Sequence, residues 1–277
     1  MKFLLCGASL LPLPYWLILR IAKNAGFDGV EFFLFTGRWP AEKIVRCLEL
    51  ADKLDLVLHF HQTWNQVETT EKSLVQKAMT LLGWLPRRGY TLAEHIPTSL
   101  SAGEIPVVVY AERFAEATRH PNLWLQTISL CRQFASGEKE YALSFNGFKK
   151  WFVRGGIASP LVFDNQHILE WQCGKIGVQN LSATREALLQ DLLPLWSLFR
   201  PQVRELHFND CDPAKGVGAR NLFTGNGVMP LQEFADEVRK SEWHGAVTPE
   251  VSTFIMMRDP WRNPLKLRRK MAEIWRE

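Results

Sequence analysis

A chain of 277 residues, 47% hydrophobic and 22% charged, is long enough to bury a sizeable core in one large α/β domain. Its net charge of +4 gives no argument for nucleic-acid binding, and its five scattered cysteines, odd in number and without a C-x-x-C pair, argue against a disulfide framework and for a reducing cytoplasm. No apolar run approaches the roughly 18 to 20 residues that span a bilayer, and the signal-like start after Lys2 is broken by Pro12 and Pro14.

In chain order, short apolar runs alternate with helical patterns. Strands are predicted over Lys2–Cys6, Gly29–Leu34, Leu56–His61, Pro106–Glu112, Asn122–Thr127, Pro160–Asp164, Val203–Phe208 and Ala246–Val251. Helices are predicted over Tyr15–Ala25, Ala41–Leu54, Glu71–Leu85, Lys139–Val153, Ala183–Phe199, Leu231–Lys240 and from Pro264 onward. This is the sequence form of repeated βα units, and eight strands close a barrel, so the expected fold is a (β/α)8 TIM barrel forming a single domain over residues 1–277. Two stretches fit it poorly: Phe114–Pro121 is short for a connecting helix, and Arg87–Glu104 is long and irregular, the kind of loop that serves as a lid.

Strand alternation sorts the side chains. One face of a barrel strand meets the helices and is apolar, while the other points at the axis. With Leu206, Phe208, Val247 and Val251 outward, Glu205, His207, Asn209, Thr248 and Glu250 point inward. The same parity turns in Asp164, Gln126, Glu112, His59 and His61. Ionisable groups from several strands thus converge at the strands' C-terminal ends, where a parallel barrel assembles its functional site. Buried there, they require pairing, hydrogen bonds or a metal.

Asp, His and Glu from neighbouring strands make an oxygen and nitrogen donor set suited to one divalent cation such as Mn²⁺, Mg²⁺, Co²⁺ or Zn²⁺, with no thiolate to force the choice. Such a cation would hold a hydroxy-carbonyl substrate by two oxygens or activate water. Other residues remain open between two roles. His59 and His61 are ligands or hydrogen-bonded core residues, Glu31 is a substrate-facing carboxylate or the partner of a core Arg, and Asp164 is a ligand or a cap for the next turn. Trp64, Trp124 and Tyr110 read as packing, and Lys266–Lys270 as a solvated helix face.

Five ordered pieces resemble the xylose isomerase-like barrels, which include sugar and sugar-phosphate isomerases and epimerases and the metal-dependent apurinic endonuclease. They are Ala25-Gly26-Phe27-Asp28-Gly29-Val30-Glu31, Asp164-Asn165-Gln166-His167, Leu206-His207-Phe208-Asn209-Asp210, Gly225-Asn226-Gly227 and Pro249-Glu250. The resemblance implies metal ligation by Asp164, His207 and Glu250. A fourth ligand belongs at the end of strand five, where Gln126 is the best match and Glu112 the alternative. It also implies acid/base roles for Glu250, His167 and His61, and substrate contacts for His59, Glu31, Glu112, Arg220 and Asp210.

Two departures from the family matter. A Gln amide can ligate a cation but cannot act as a base, which removes one carboxylate from a two-base epimerase. The endonuclease's Asp-Arg-His pattern is replaced by Ala219-Arg220-Asn221, so abasic-site cleavage is disfavoured and nucleic acid is not the expected partner. Arg220 and Lys215, with the Gly225–Gly227 turn, are expected to receive a substrate phosphate or carboxylate. The expected activity is metal-assisted proton transfer on a small sugar, sugar phosphate or keto acid. The alternatives are a degenerate barrel that binds a metabolite without turnover, and a metal-dependent hydrolase or lyase. Family members often pair, so a homo-oligomer is also expected.

Overall fold

The computed structural model describes residues 1–35, 41–63, 91–96, 123–129, 131–133, 139–141, 144–154, 160–216 and 218–276. Eight parallel strands close a barrel: β1 (Lys2–Cys6), β2 (Gly29–Phe35), β3 (Val57–Thr63), β4 (Thr91–Ile96), β5 (Leu123–Ser129), β6 (Leu161–Asp164), β7 (Val203–His207) and β8 (Ala246–Thr248). Each pairs with its neighbours in sequence order, and the ring shuts where Lys2 and Phe3 of β1 meet Ala246 and Val247 of β8. Gly29 is required where β1, β2 and β3 crowd together, because a Cβ there would strike the Val57 carbonyl and the Leu4 side chain. A small antiparallel hairpin, Cys131–Gln133 with Lys139–Tyr141, follows β5.

The outer layer is α1 (Tyr15–Ala25), α2 (Ala41–Leu54), α3 (Phe145–Val153), α4 (Asn165–Cys173), α5 (Arg185–Phe199), α6 (Leu231–Lys240), the short α7 (Thr253–Met256) and α8 (Arg262–Trp275). Local chemistry sets several starts: Ser144 accepts from Gly147 N, Thr184 from Ala187 N, and Asp164 from Gln166 N and His167 N. Many of the chain's aromatic residues lie between strands and helices. Phe163, Trp196, Phe234 and Trp243 meet edge-on or tilted, and Phe208 packs against Phe234 and Trp275. Each such ring taken fully out of water contributes about 1.5–3 kcal/mol, and that burial holds helices to barrel. Among the described residues no helix is long and apolar enough to cross a membrane.

The sequence reading needs correcting in three places. Strand four is Thr91–Ile96, paired with His59–Gln62 on one side and with β5 on the other, not Pro106–Glu112. The stretch taken as irregular therefore contains a barrel strand, and the connection to β5 runs over residues 97–122, long enough for a crossover. The expected helix Lys139–Val153 splits into a hairpin strand and α3, since Ser144 caps the helix there. Helix α4, directly after Asp164, was not predicted. The expected helix Glu71–Leu85, the expected strand Pro106–Glu112 and the connection Phe114–Pro121 lie outside the described residues.

Candidate active site at the barrel mouth

Alternation on β6, β7 and β8 delivers the inward set. Phe163, Leu206, Phe208 and Val247 pack outward, and Asp164, Glu205, His207, Asn209, Thr248 and Glu250 form a buried polar interior with Glu31 of β2 and His59 of β3. His207 is its hub. Its Nε2 lies 2.9 Å from Glu31 Oε1, and its Nδ1 lies 3.4 Å from Glu250 Oε1 and 3.5 Å from Asp164 Oδ2. Burial works against a charged imidazole, but Glu31, Glu250 and Asp164 outweigh it and raise His207 well above the ordinary histidine range. Asp164 is fully buried, which would raise it, yet His167, His207 and its cap hydrogen bonds hold it far below the usual carboxylate value.

Asp164 does two jobs at once. Oδ1 caps α4 at 3.0 Å from Gln166 N and 2.8 Å from His167 N, while Oδ2 faces His207 and accepts from Asn209 Nδ2 at 3.1 Å. The cap and the candidate ligand are one residue, and the helix fixes the carboxylate's aim. Asn209 also donates to Glu250 Oε2 at 3.1 Å and accepts from Glu250 N at 3.2 Å, aligning both carboxylates. Asn209 is itself pinned by reciprocal bonds with Asn165, 2.8 Å and 3.0 Å.

One ligand atom each from Asp164, His207 and Glu250 lie within 4.8 Å of one another, and all three residues are buried. Two overlapping groups, Glu31/Glu205/His207 and Cys6/Glu31/Glu250, meet the same limit. Crowding carboxylates around one imidazole in a water-poor interior is costly unless a cation shares them. With the imidazole's far nitrogen held by Glu31, this donor set fits a divalent cation. The Cys6 thiol is pushed far up by burial and by Glu250 and Glu31.

A second row lies beside the first. His59 Nδ1 is 2.6 Å from Glu205 Oε2, and Thr248 Oγ1 donates to Glu205 Oε1 at 2.5 Å, so a pair from β3 and β7 spans the barrel interior.

The remaining expected residues fall in different places. His167, on α4, sits at the edge of the site: Nε2 is 4.0 Å from Asp164, and Nδ1 faces Arg220 at 3.3 Å and Glu170 at 3.7 Å. Burial would lower it, but Asp164 and Glu170 raise it. Arg220 donates to both oxygens of buried Glu170 at 3.1 and 3.2 Å. Asp210 departs from its expected substrate contact: its carboxylate is buried and accepts from the backbone N–H groups of Gly225, Gly227 and Met229 at 2.8, 2.9 and 3.3 Å. A Cβ at Gly227 would collide with it. In the expected anion receiver, the N–H groups of Gly225 and Gly227 bind Asp210, and Lys215 is paired with Asp212 at 2.7 Å.

Gln126 lies in β5, in register with His95 and Val162, and Val162 in turn with Glu205. That is one step before the row of Asp164 and His207. His61 lies in β3 opposite Phe33 and Ala93. Glu112 lies outside the described residues. Asn209 and Glu205 were turned inward by parity but given no role, and Asn165 and Glu170 were missed. The signal for the last two was an Asn next to the capping Asp and a Glu three residues past His167, on one face of a helix that was not predicted.

No family model matches the sequence, and no curated protein matches it. Solved structures do. A xylose isomerase domain protein from Alicyclobacillus acidocaldarius is 16% identical with a TM-score of 0.64, covering 100% of this chain and 98% of that one. A xylose isomerase domain-containing protein from Salmonella typhimurium is 13% identical with a TM-score of 0.66, covering 100% and 97%. The 3-keto-D-glucoside 4-epimerase of E. coli is 12% identical with a TM-score of 0.62, covering 99% and 98%. The likeness runs from end to end, and the chain shares the TIM-barrel fold of these structures.

Proposed function

We propose that the barrel is a divalent-cation-dependent isomerase or epimerase of a small sugar or keto acid, with the cation held by Asp164, His207 and Glu250 and by Gln126 from strand five. The observation that carries this is the buried meeting of those first three side chains, one from each of three consecutive strand ends, around an imidazole backed by Glu31. A bound cation supplies an electrophile that polarises a substrate carbonyl and acidifies the neighbouring C–H. Glu250 takes or returns that proton, and Asn209 sets the angle of its carboxylate. An uncharged sugar suits the site better than a phosphorylated one, because Arg220, Lys215 and the Gly225–Gly227 turn are already engaged with Glu170, Asp212 and Asp210. Solved structures of similar fold include a 3-keto-D-glucoside 4-epimerase and a D-psicose 3-epimerase, which supports this chemistry.

Elemental analysis of protein purified without chelator, beside an Asp164→Ala/His207→Ala double variant, tests the site. Near-stoichiometric metal is expected in the wild type and none in the variant. Deuterium exchange into a panel of ketoses and keto acids in D₂O then tests the reaction, with Glu250→Gln expected to abolish it. A wild type that stays empty after dialysis against Mn²⁺, Co²⁺ and Zn²⁺ would sink the metal-enzyme reading.

A further inference from the structure

We propose that His59, held by Glu205, is the second proton-transferring group of this site, working across the substrate from Glu250. This rests on the function proposed above and answers the question that Gln126 raises. A two-base epimerisation needs an acid/base group on each face of the substrate carbon, and an amide on strand five cannot be one.

The topology gives His59 a suitable place. In the closed ring, β5 is three strands from β8 in one direction, through β7 and β6, and β3 is three strands from β8 in the other, through β1 and β2. A group on β3 therefore stands as far around the barrel from Glu250 as a strand-five carboxylate would. The strand register agrees, since His59 pairs with Glu31, Glu31 with Cys6, and Cys6 is the last residue of β1. His59 and Glu250 also keep solvent contact, 6% and 7% exposed, whereas Glu31, Asp164, Glu205 and His207 are sealed at 0%.

Glu205 supplies the orientation. Thr248 donates to one of its oxygens, and His59 Nδ1–H donates to the other at 2.6 Å, which fixes the tautomer and makes Nε2 the nitrogen that acts on substrate. Glu205 is thus a positioning residue. In one direction the Glu250 carboxylate accepts the proton from the carbon beside the carbonyl, and the C–H electron pair moves toward the carbonyl oxygen. The His59 imidazolium then gives its Nε2 proton to the opposite face of that carbon. The cycle leaves Glu250 protonated and His59 neutral, and both reset by exchange with water. The reverse reaction interchanges the two roles.

The test uses the Mn²⁺-loaded full chain with D-psicose, D-fructose and D-tagatose as probes in D₂O. His59→Gln is expected to retain stoichiometric Mn²⁺ and a KM within a few-fold, to lose about 10²–10⁴ in epimer formation, and still to exchange deuterium into the recovered starting sugar through Glu250. Added imidazole is expected to restore epimer formation to His59→Gly. Glu205→Gln is expected to shift the His59 tautomer seen by ¹⁵N NMR and to lower kcat without changing Mn²⁺ content. If His59→Gln epimerises at the wild-type rate while Glu250→Gln does not, this proposal falls and the proposed function stands. If the Mn²⁺-loaded wild type exchanges neither these three sugars nor any member of the wider panel of ketoses and keto acids, both fall. Should His59→Gln not fold, Glu205→Gln decides, and an unchanged tautomer with unchanged kcat overturns the proposal.

Discussion

The two faces of β7 and of Phe208, which directly continues it, are one residue apart in sequence and carry different loads. Outward, Phe208 lies 6.5 Å from Phe234 and 5.3 Å from Trp275, ring centre to ring centre, among buried apolar neighbours. Inward, Glu205 and His207 reach β2, β3, β6 and β8 or the residues just beyond them, through bonds of 2.5 to 3.5 Å. The first face stabilises by leaving water. The second places charged groups where they are held by one another rather than by packing. Stability and site are thus separable by parity along a single strand, and substitutions should divide the same way.

The largest effect is expected on the outward face. Phe208→Ala should cost about 3–5 kcal/mol in chemical denaturation, with Mn²⁺ stoichiometry unchanged in the folded fraction. If cation binding were lost with folding intact, the separation would be wrong. Next is Asp210, beyond the strand, whose removal leaves three backbone N–H groups, that of Met229 buried, without their carboxylate partner. Asp210→Ala should cost about 3 kcal/mol, again without touching Mn²⁺ binding, and a loss below 1 kcal/mol would show that water replaces the carboxylate. On the inward face, Glu31→Gln should weaken Mn²⁺ binding about 10–100-fold by loosening His207, read by titration calorimetry, while cation-free stability changes little. The smallest effect is expected far from both faces. Arg185 and Glu233 form a half-exposed pair at 2.8 Å, so Arg185→Ala should cost at most about 1 kcal/mol. Arg185's hydrogen bond holds Glu233 below its ordinary value of 4.5. The pair's contribution is therefore present above that value and fades as pH falls through the lower folded one. A wild type and variant that diverge further in acid would contradict this.

The barrel was legible because most of its strands are short apolar runs between helical patterns. Strand four was not. Thr91–Ile96 carries Glu94 and His95, which interrupt the apolar run, whereas Pro106–Tyr110 offers three consecutive valines, a pattern that reads as a strand. Propensity favoured the wrong segment, and tertiary pairing with β3 and β5 decided the matter. In the candidate site, Asp164 and His207 were legible because each closes an apolar strand within a matched motif, and Glu250 because it follows one in the Pro249-Glu250 motif. The His59–Glu205 pair was not, since it joins residues 146 apart in sequence, and only barrel closure brings them together. The partners of Asp210 were not legible either, because they are backbone N–H groups that no sequence pattern displays.

The seam between β1 and β8 has a kinetic consequence. Lys2 pairs with Ala246, and Phe3 touches Trp275 of α8 at 6.2 Å, so the last elements in sequence complete the ring begun by the first. Such distant contacts form slowly, after a large loop-closure cost. Glu31 and His59 arrive with the early strands and Asp164, His207 and Glu250 with the late ones, so no partly made barrel holds the whole polar interior. In refolding, cation capture would then be a terminal event, timing the moment the ring shuts.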